Sequence, residues 1–183
     1  QQMETLPDKI VVPICYGDAL FGIMKGFEEL KEMGFVDKVP QMLSVEDYGP
    51  IARAFSRKSD IIEPVEGWGS VASSICTPYG TYHSLYTVKK SGGSAISLDN
   101  NQQLLDAQKD LARKEGLYCE SASAAALAGI RKYIASGQIK PGEKVVMLIT
   151  AAGVKDTKVT ASYMGEIPEI DASLESMEKV MES

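Results

Sequence analysis

The sequence predicts an α/β fold, a three-layer sandwich around a mostly parallel sheet. Two observations carry that reading. Short β-branched runs alternate with helical stretches along the whole chain. Parallel neighbours need a crossover, and a helix is the usual crossover. The composition is that of an ordinary globular domain: 183 residues, 44% hydrophobic and 24% charged.

The elements follow in order. Lys9 to Cys15 reads as a buried strand, because Ile10, Val11, Val12 and Ile14 are apolar and mostly β-branched. The turn Tyr16-Gly17-Asp18 leads into a helix from about Ala19 to Met33. Leu20, Ile23, Met24, Phe27 and Leu30 share one face of it, and Gly34 is its expected stop. Gln41 to Val45 is a second strand. Ser44-Val45-Glu46-Asp47 has the form of a capping box opening a helix through Phe55. Residues 59–71 carry Pro64, Gly67 and Gly69 and read as loop. A helix over Thr81 to Lys90 ends at Ser91-Gly92-Gly93, and Ser94 to Leu98 is a third strand. Asp99 or Asn100 can cap a helix over Gln102 to Glu115, which Gly116 ends. The helix from about Ser123 to Ser136 is apolar nearly all round and belongs in an interior. Pro141-Gly142 turns into a strand over Val145 to Thr150. Asp156 to Asp171 is expected to be irregular, and the stretch from Ala172 is amphipathic. The domain reading is therefore a body over residues 1–156 and a tail with a short helix over 157–183.

Charge and composition narrow the function. A net charge of −6 and a pI of about 4.9 argue against a generic nucleic-acid surface and against adhesion to anionic membranes. Cys15, Cys76 and Cys119 are scattered and form no CxxC pair, which suits a reduced, cytoplasmic chain. A lone His83 makes a zinc site an unpromising reading. No basic n-region with an apolar h-region opens the chain, and no apolar run approaches a bilayer span. Position 1 is not methionine, which suggests a piece of a longer protein or a processed product.

Ligands of open α/β sheets bind at the C-terminal ends of strands, and two such ends are suggestive. At Cys15-Tyr16-Gly17-Asp18-Ala19 a helix N-terminus offers free N–H groups suited to an anion. The same turn also reads as an ordinary βα connection in which Asp18 caps the helix. At the other end, Thr150 precedes Ala151-Ala152-Gly153-Val154-Lys155-Asp156; it either presents its hydroxyl or simply ends a core strand. Between the two lies Glu120-Ser121-Ala122-Ser123-Ala124-Ala125, whose small residues allow a helix start to pass close to a ligand. As a bland alternative it is a small-residue helix start packed in a core. Cys119 and His83 read as packing and structural residues. No P-loop, GxSxG or HExxH is present.

In this order the motifs resemble the C-terminal half of the threonine synthase family, enzymes of fold type II that use pyridoxal 5′-phosphate (PLP). The family patterns are Glu-Pro-Ala-Ser-Ala-Ala and Thr-Gly-x-Gly-Leu-Lys-Asp. Thr150, Gly153, Lys155 and Asp156 match the second, with Ala151 in place of a glycine, and Ser121 replaces the proline of the first. Val12-Pro13-Ile14 and Gly26-Phe27 extend the likeness, which spans about Lys9 to Asp156.

The resemblance implies part of the large domain of such an enzyme. Tyr16, Gly17, Asp18 and Ala19 would stand where the family grips the cofactor phosphate. Thr150 would hydrogen-bond the pyridine nitrogen, and Glu120 and Ser121 would lie against the cofactor. It further implies conversion of O-phosphohomoserine to threonine and phosphate, with an amino-acid substrate. The family's cofactor lysine lies upstream in a Ser-Phe-Lys-Asp-like motif, which neither Ser56-Arg57-Lys58 nor Val88-Lys89-Lys90 resembles. No catalytic residue is therefore assigned here, and the chain alone is expected to be inactive. Its partners would be the lysine-bearing half and a second copy, since half a sheet leaves an edge uncovered. Related β-replacing or deaminating enzymes (cysteate synthase-like, threonine dehydratase-like) and a non-catalytic association module are the alternatives.

Overall fold

The computed structural model describes residues 5–164 and 169–182. The chain folds as β1 (Lys9–Pro13), α1 (Asp18–Glu32), β2 (Gln41–Glu46), α2 (Pro50–Ser56), α3 (Tyr82–Lys90), β3 (Ser94–Ser97), α4 (Asn101–Glu115), α5 (Ser121–Ala135), β4 (Val145–Met147), α6 (Thr157–Met164) and α7 (Leu174–Met181). The strands form one sheet in the order β3-β2-β1-β4, and every neighbouring pair is parallel. In register, Val11 sits between Leu43 and Met147.

Strand alternation builds the three layers. Val11, Leu43 and Val45 point to one face, where Leu104, Leu111 and the alanines of α5 cover them. Ile10, Val12 and Met42 point to the other face and pack on Leu20 and Met24 of α1, Ile51 of α2 and Leu85 and Val88 of α3. Each fully buried Leu, Ile or Val contributes about 1.5–3 kcal/mol by leaving water. Gly129 lets α5 lie against the sheet: a Cβ there would stand 2.2 Å from a Val45 methyl.

The connections explain which helix covers which face. From β1 to β2 to β3 the chain steps across the sheet in one direction, and α1, α2 and α3 all fall on one face. From β3 to β4 it jumps back past β2 and β1, and α4 and α5 cover the opposite face. This is the pattern that right-handed crossovers require. The direction reverses between β1 and β4, so a crevice opens there at the strands' C-terminal ends.

Several local expectations are revised. Ser44-Val45-Glu46 is not a capping box; it stays extended because β2 pairs with β3 through Ser44↔Ala95 and Val45↔Ile96. The helix begins later, after Gly49 at φ 88, with Pro50 in its first turn. Glu46 still caps α2, but from the end of the strand: Oε1 accepts from Ile51 N at 3.1 Å and Oε2 from Ala52 N at 2.7 Å. The α5 helix starts at Ser121 rather than Ser123, and β4 ends at Met147 rather than Thr150.

Residues 153–164 are helical, not irregular. Tyr118 explains this: its ring lies over Gly153, where a Cβ would meet ring carbons at 2.4 Å, and its hydroxyl is 2.7 Å from Thr160 Oγ1. Residues 165–168 of that expected loop lie outside the described residues. Among the described residues no helix is long and apolar enough to cross a membrane.

Candidate functional site at the sheet switch point

The β1 side of the crevice is built by the turn after Ile14. Ile14 N bonds to Val45 O at 2.9 Å, which carries the strand pairing to its last residue. Gly17 then takes φ 85, a conformation that suits glycine, and its position leaves no room for a Cβ: one would stand 2.0 Å from Ser84 Oγ. The Tyr16 carbonyl accepts from Thr81 Oγ1 and from Ser84 Oγ, both at 2.6 Å, so the start of α3 braces the turn.

Asp18 does not cap α1. The N-cap is Gly17, which has no side chain, and the Asp18 carboxylate is exposed, 3.5 Å from His83 Nε2. The N–H groups at the start of α1 therefore keep no side-chain cap; the first intrahelical bond runs from Phe21 N to Gly17 O at 2.9 Å. Tyr16, Asp18 and Ala19 are exposed and Gly17 is buried. His83 thus has a neighbouring carboxylate that its sequence context does not show, and it packs edge-on against Phe21.

On the β4 side, the chain leaves the sheet and passes over the start of α5. Ser123, fully buried on α5, gathers it: its Oγ accepts from Thr150 N at 3.0 Å and from Ala151 N at 2.9 Å, and lies 2.6 Å from Thr150 Oγ1. Thr150 itself is exposed. Ser121 is buried, and its hydroxyl reaches Val71 O at 2.8 Å and Asp156 Oδ2 at 2.7 Å. Glu120 is buried and paired with Lys155 Nζ at 2.9 Å. The side chains of Glu120 and Ser121 are thus committed to protein partners, whereas the N–H groups of the first turn of α5 remain at its open end.

Two acidic groups that sequence reasoning did not single out are buried at the end of β2. Burial pushes the Glu46 carboxyl up to about 7, against the two N–H bonds that favour its charged form. Asp47 is fully buried, and neither of its oxygens has a partner of good hydrogen-bond geometry. Burial raises its pKa, and the nearby Ser70 hydroxyl only partly offsets that. Burial likewise raises Cys15 and Cys119, which suits inert thiols better than nucleophiles. Among the described residues no group of three or more His, Cys, Asp or Glu side chains could hold a metal ion.

The arrangement suits a ligand with an anionic end and a second polar group. Uncapped N–H groups and a glycine stand on one strand end, and an exposed hydroxyl stands on the neighbouring one. Residues 1–151 match the family model described as pyridoxal-phosphate dependent enzyme. The threonine synthase of Methanosarcina acetivorans is 34% identical over 180 residues, covering 96% of this chain and 44% of that protein. That of Methanocaldococcus jannaschii is 30% identical over 180 residues, with the same coverage of 96% and 44%. The chain thus spans less than half the length of these relatives. Among solved structures, the processed form of threonine deaminase isoform 2 from Solanum lycopersicum superposes with a TM-score of 0.66 at 17% identity, covering 90% of this chain and 46% of that one. That likeness establishes the fold, which is shared with fold-type-II PLP enzymes. With the family model spanning most of the chain, the protein belongs to the pyridoxal-phosphate-dependent enzymes.

Proposed function

We propose that this chain forms one wall of a threonine synthase-like site that turns O-phosphohomoserine and water into threonine and phosphate. One observation carries the reading: the Cys15–Ala19 turn and Thr150 leave neighbouring strands at the point where the sheet reverses direction. The identity to threonine synthases supports this substrate over that of the threonine deaminase, whose likeness is one of fold.

Bound PLP supplies an electron sink for chemistry at the amino-acid carbons. The chain's own residues bind and orient. Gly17 keeps the turn open, and the N–H groups at the start of α1 face the phosphate with the positive end of the helix. Thr150 offers a neutral hydroxyl to the ring nitrogen. Asp18 stands exposed at the phosphate end, and its repulsion is eased by His83 when that ring is protonated. Ser121 and Glu120 act indirectly, by tying the start of α5 to the 71–74 loop and to Lys155.

The cofactor lysine comes, in this reading, from a segment beyond these residues, so the chain alone does not turn over. The half-exposed β4 edge, Val145–Met147, is where a further strand would pair, from that segment or from a second copy. A reducing cytoplasm fits the unpaired cysteines.

The test is a titration of the purified chain with PLP, followed by absorbance and thermal melting. A saturable change that Thr150→Val weakens supports the reading. Binding that is unsaturable and indifferent to Thr150, or phosphate release from O-phosphohomoserine by the chain alone, refutes it.

A further inference from the structure

We propose that the cleft between α4 and α6 is a second ligand site, which takes a small organic anion: a carboxylate carried on an apolar body. The proposal goes beyond the function given above and uses none of the residues placed in the crevice.

The cleft has a volume of about 580 Å³, within the roughly 300–1,000 Å³ of small-molecule sites. Lys109 and Arg113 line it from α4. They are four residues apart, so their side chains lie on one face of the helix. The rest of the wall is Tyr118, with Thr160, Tyr163 and Met164 of α6.

The protein's own bonds hold this wall in place. The Tyr118 hydroxyl is 2.7 Å from Thr160 Oγ1. The Tyr163 hydroxyl donates to Gln108 Oε1, and Gln108 Nε2 donates to Cys119 O at 2.6 Å. Gln108 is fully buried on α4, so α6 is pinned to α4 from beneath the cleft. A preformed wall needs little ordering when a ligand enters.

The two cations are uncommitted. Among the described residues neither Lys109 nor Arg113 is ion-paired. The acid beside them, Asp110, already holds Lys114 and Arg131. This local excess of positive charge stands in a chain of net charge −6. A guanidinium fork matches the two oxygens of a carboxylate, and the lysine adds a second positive charge. Ala112, Met164 and the two tyrosine rings offer apolar surface to the remainder of the ligand. An inorganic ion would meet the cations and leave most of the volume unfilled. A neutral ring would fill the volume and leave the cations unmatched. The ligand that answers both features has a charged head and an apolar body.

Phenylacetate is the probe, with acetate as the head alone and phenylacetamide as the uncharged counterpart. Binding to the purified full chain is measured by titration calorimetry at fixed ionic strength. Phenylacetate is expected to saturate one site at least about tenfold more tightly than either control. Arg113→Gln is expected to weaken it about tenfold, and Lys109→Gln in addition to abolish it. Arg113→Lys, which keeps the charge but not the fork, is expected to fall between wild type and Arg113→Gln. Lys109 and Arg113 are exposed, so these variants keep the fold, and thermal melts check that.

No saturable binding overturns the proposal, as does equal binding of phenylacetamide or indifference to the double substitution. Binding that PLP displaces and Thr150→Val weakens puts the probe in the crevice and also overturns it. Failure of PLP to bind, with phenylacetate still held through Arg113, counts against the function proposed above and leaves this site standing.

Discussion

Replacing Glu46 with Gln should change how stability depends on pH more than it changes stability itself. The Glu46 carboxyl is 2% exposed and is pushed from 4.5 up to about 7 by burial. That difference corresponds to about 3 kcal/mol between its protonation states. The sign follows from which state holds the proton. Below pH 4.5 the group is protonated in both the folded and the unfolded chain, and its stabilising difference is fully present. As pH rises toward about 7 the unfolded chain ionises first, so unfolding becomes easier by up to about 3 kcal/mol. Glutamine removes this slope.

The amide can accept from only one of Ile51 N and Ala52 N, and leaving the other unpaired costs about 1–3 kcal/mol. Glu46→Gln is therefore expected to be the less stable protein near pH 5 and at least equal near pH 8. Urea unfolding at half-unit steps between those limits, with the denaturant slope checked for constancy, measures it. The carboxylates that ion pairs or backbone bonds hold low, such as Asp8, Asp99 and Asp110, exert their effect below this window and are common to both proteins. Parallel stability curves for the two proteins would refute the reasoning.

Two further substitutions probe the walls of the crevice. Gly17→Ala must place a Cβ 2.0 Å from Ser84 Oγ at φ 85, and is expected to cost about 2–4 kcal/mol in denaturant melts. A loss under 0.5 kcal/mol would mean the turn is looser than described. Ser123→Ala strands two part-buried backbone N–H groups and should cost about 2–4 kcal/mol, whereas Thr150→Val, which loses one half-exposed hydroxyl contact, should cost about 1 kcal/mol or less. The reverse ranking in thermal melts would contradict the bonding described around Ser123.

Much of the architecture is legible in the residues because local and global preferences agree. The apolar spacing of Leu20 and Met24 locates the buried stripe of α1, and Gly34 and Gly116 stop their helices at φ 77 and φ 67. The pattern fails where a partner remote in sequence decides. Ser44-Val45-Glu46 has a helix-start signature, yet pairing with β3 keeps it extended. The 153–164 stretch carries no strong helical period and is settled by Tyr118 and by the bond between Tyr163 and Gln108. At the site, the motifs locate Thr150 and Gly17, because residue type alone marks a strand end and a left-handed turn. They do not reveal that Thr81 and Ser84 hold Tyr16 from more than sixty residues away, or that Asp18 meets His83. Glu46 and Asp47 look like surface acids in a helix start. Only the sheet shows that they are buried.

The sheet's two apolar clusters have an evolutionary consequence. One holds Leu20, Met24, Leu85 and Val88; the other holds Leu104, Leu111 and the α5 alanines, and a continuous layer of strands separates them. Substitutions on opposite faces share no cavity, so their energetic effects sum, while neighbours within one cluster must change in concert. Helices 18–90 and 101–135 can therefore diverge as two nearly independent blocks. The strand side chains divide between the two histories, Val11 and Leu43 with the second block and Val12 with the first, so epistasis in this chain should run within each cluster and rarely across the sheet.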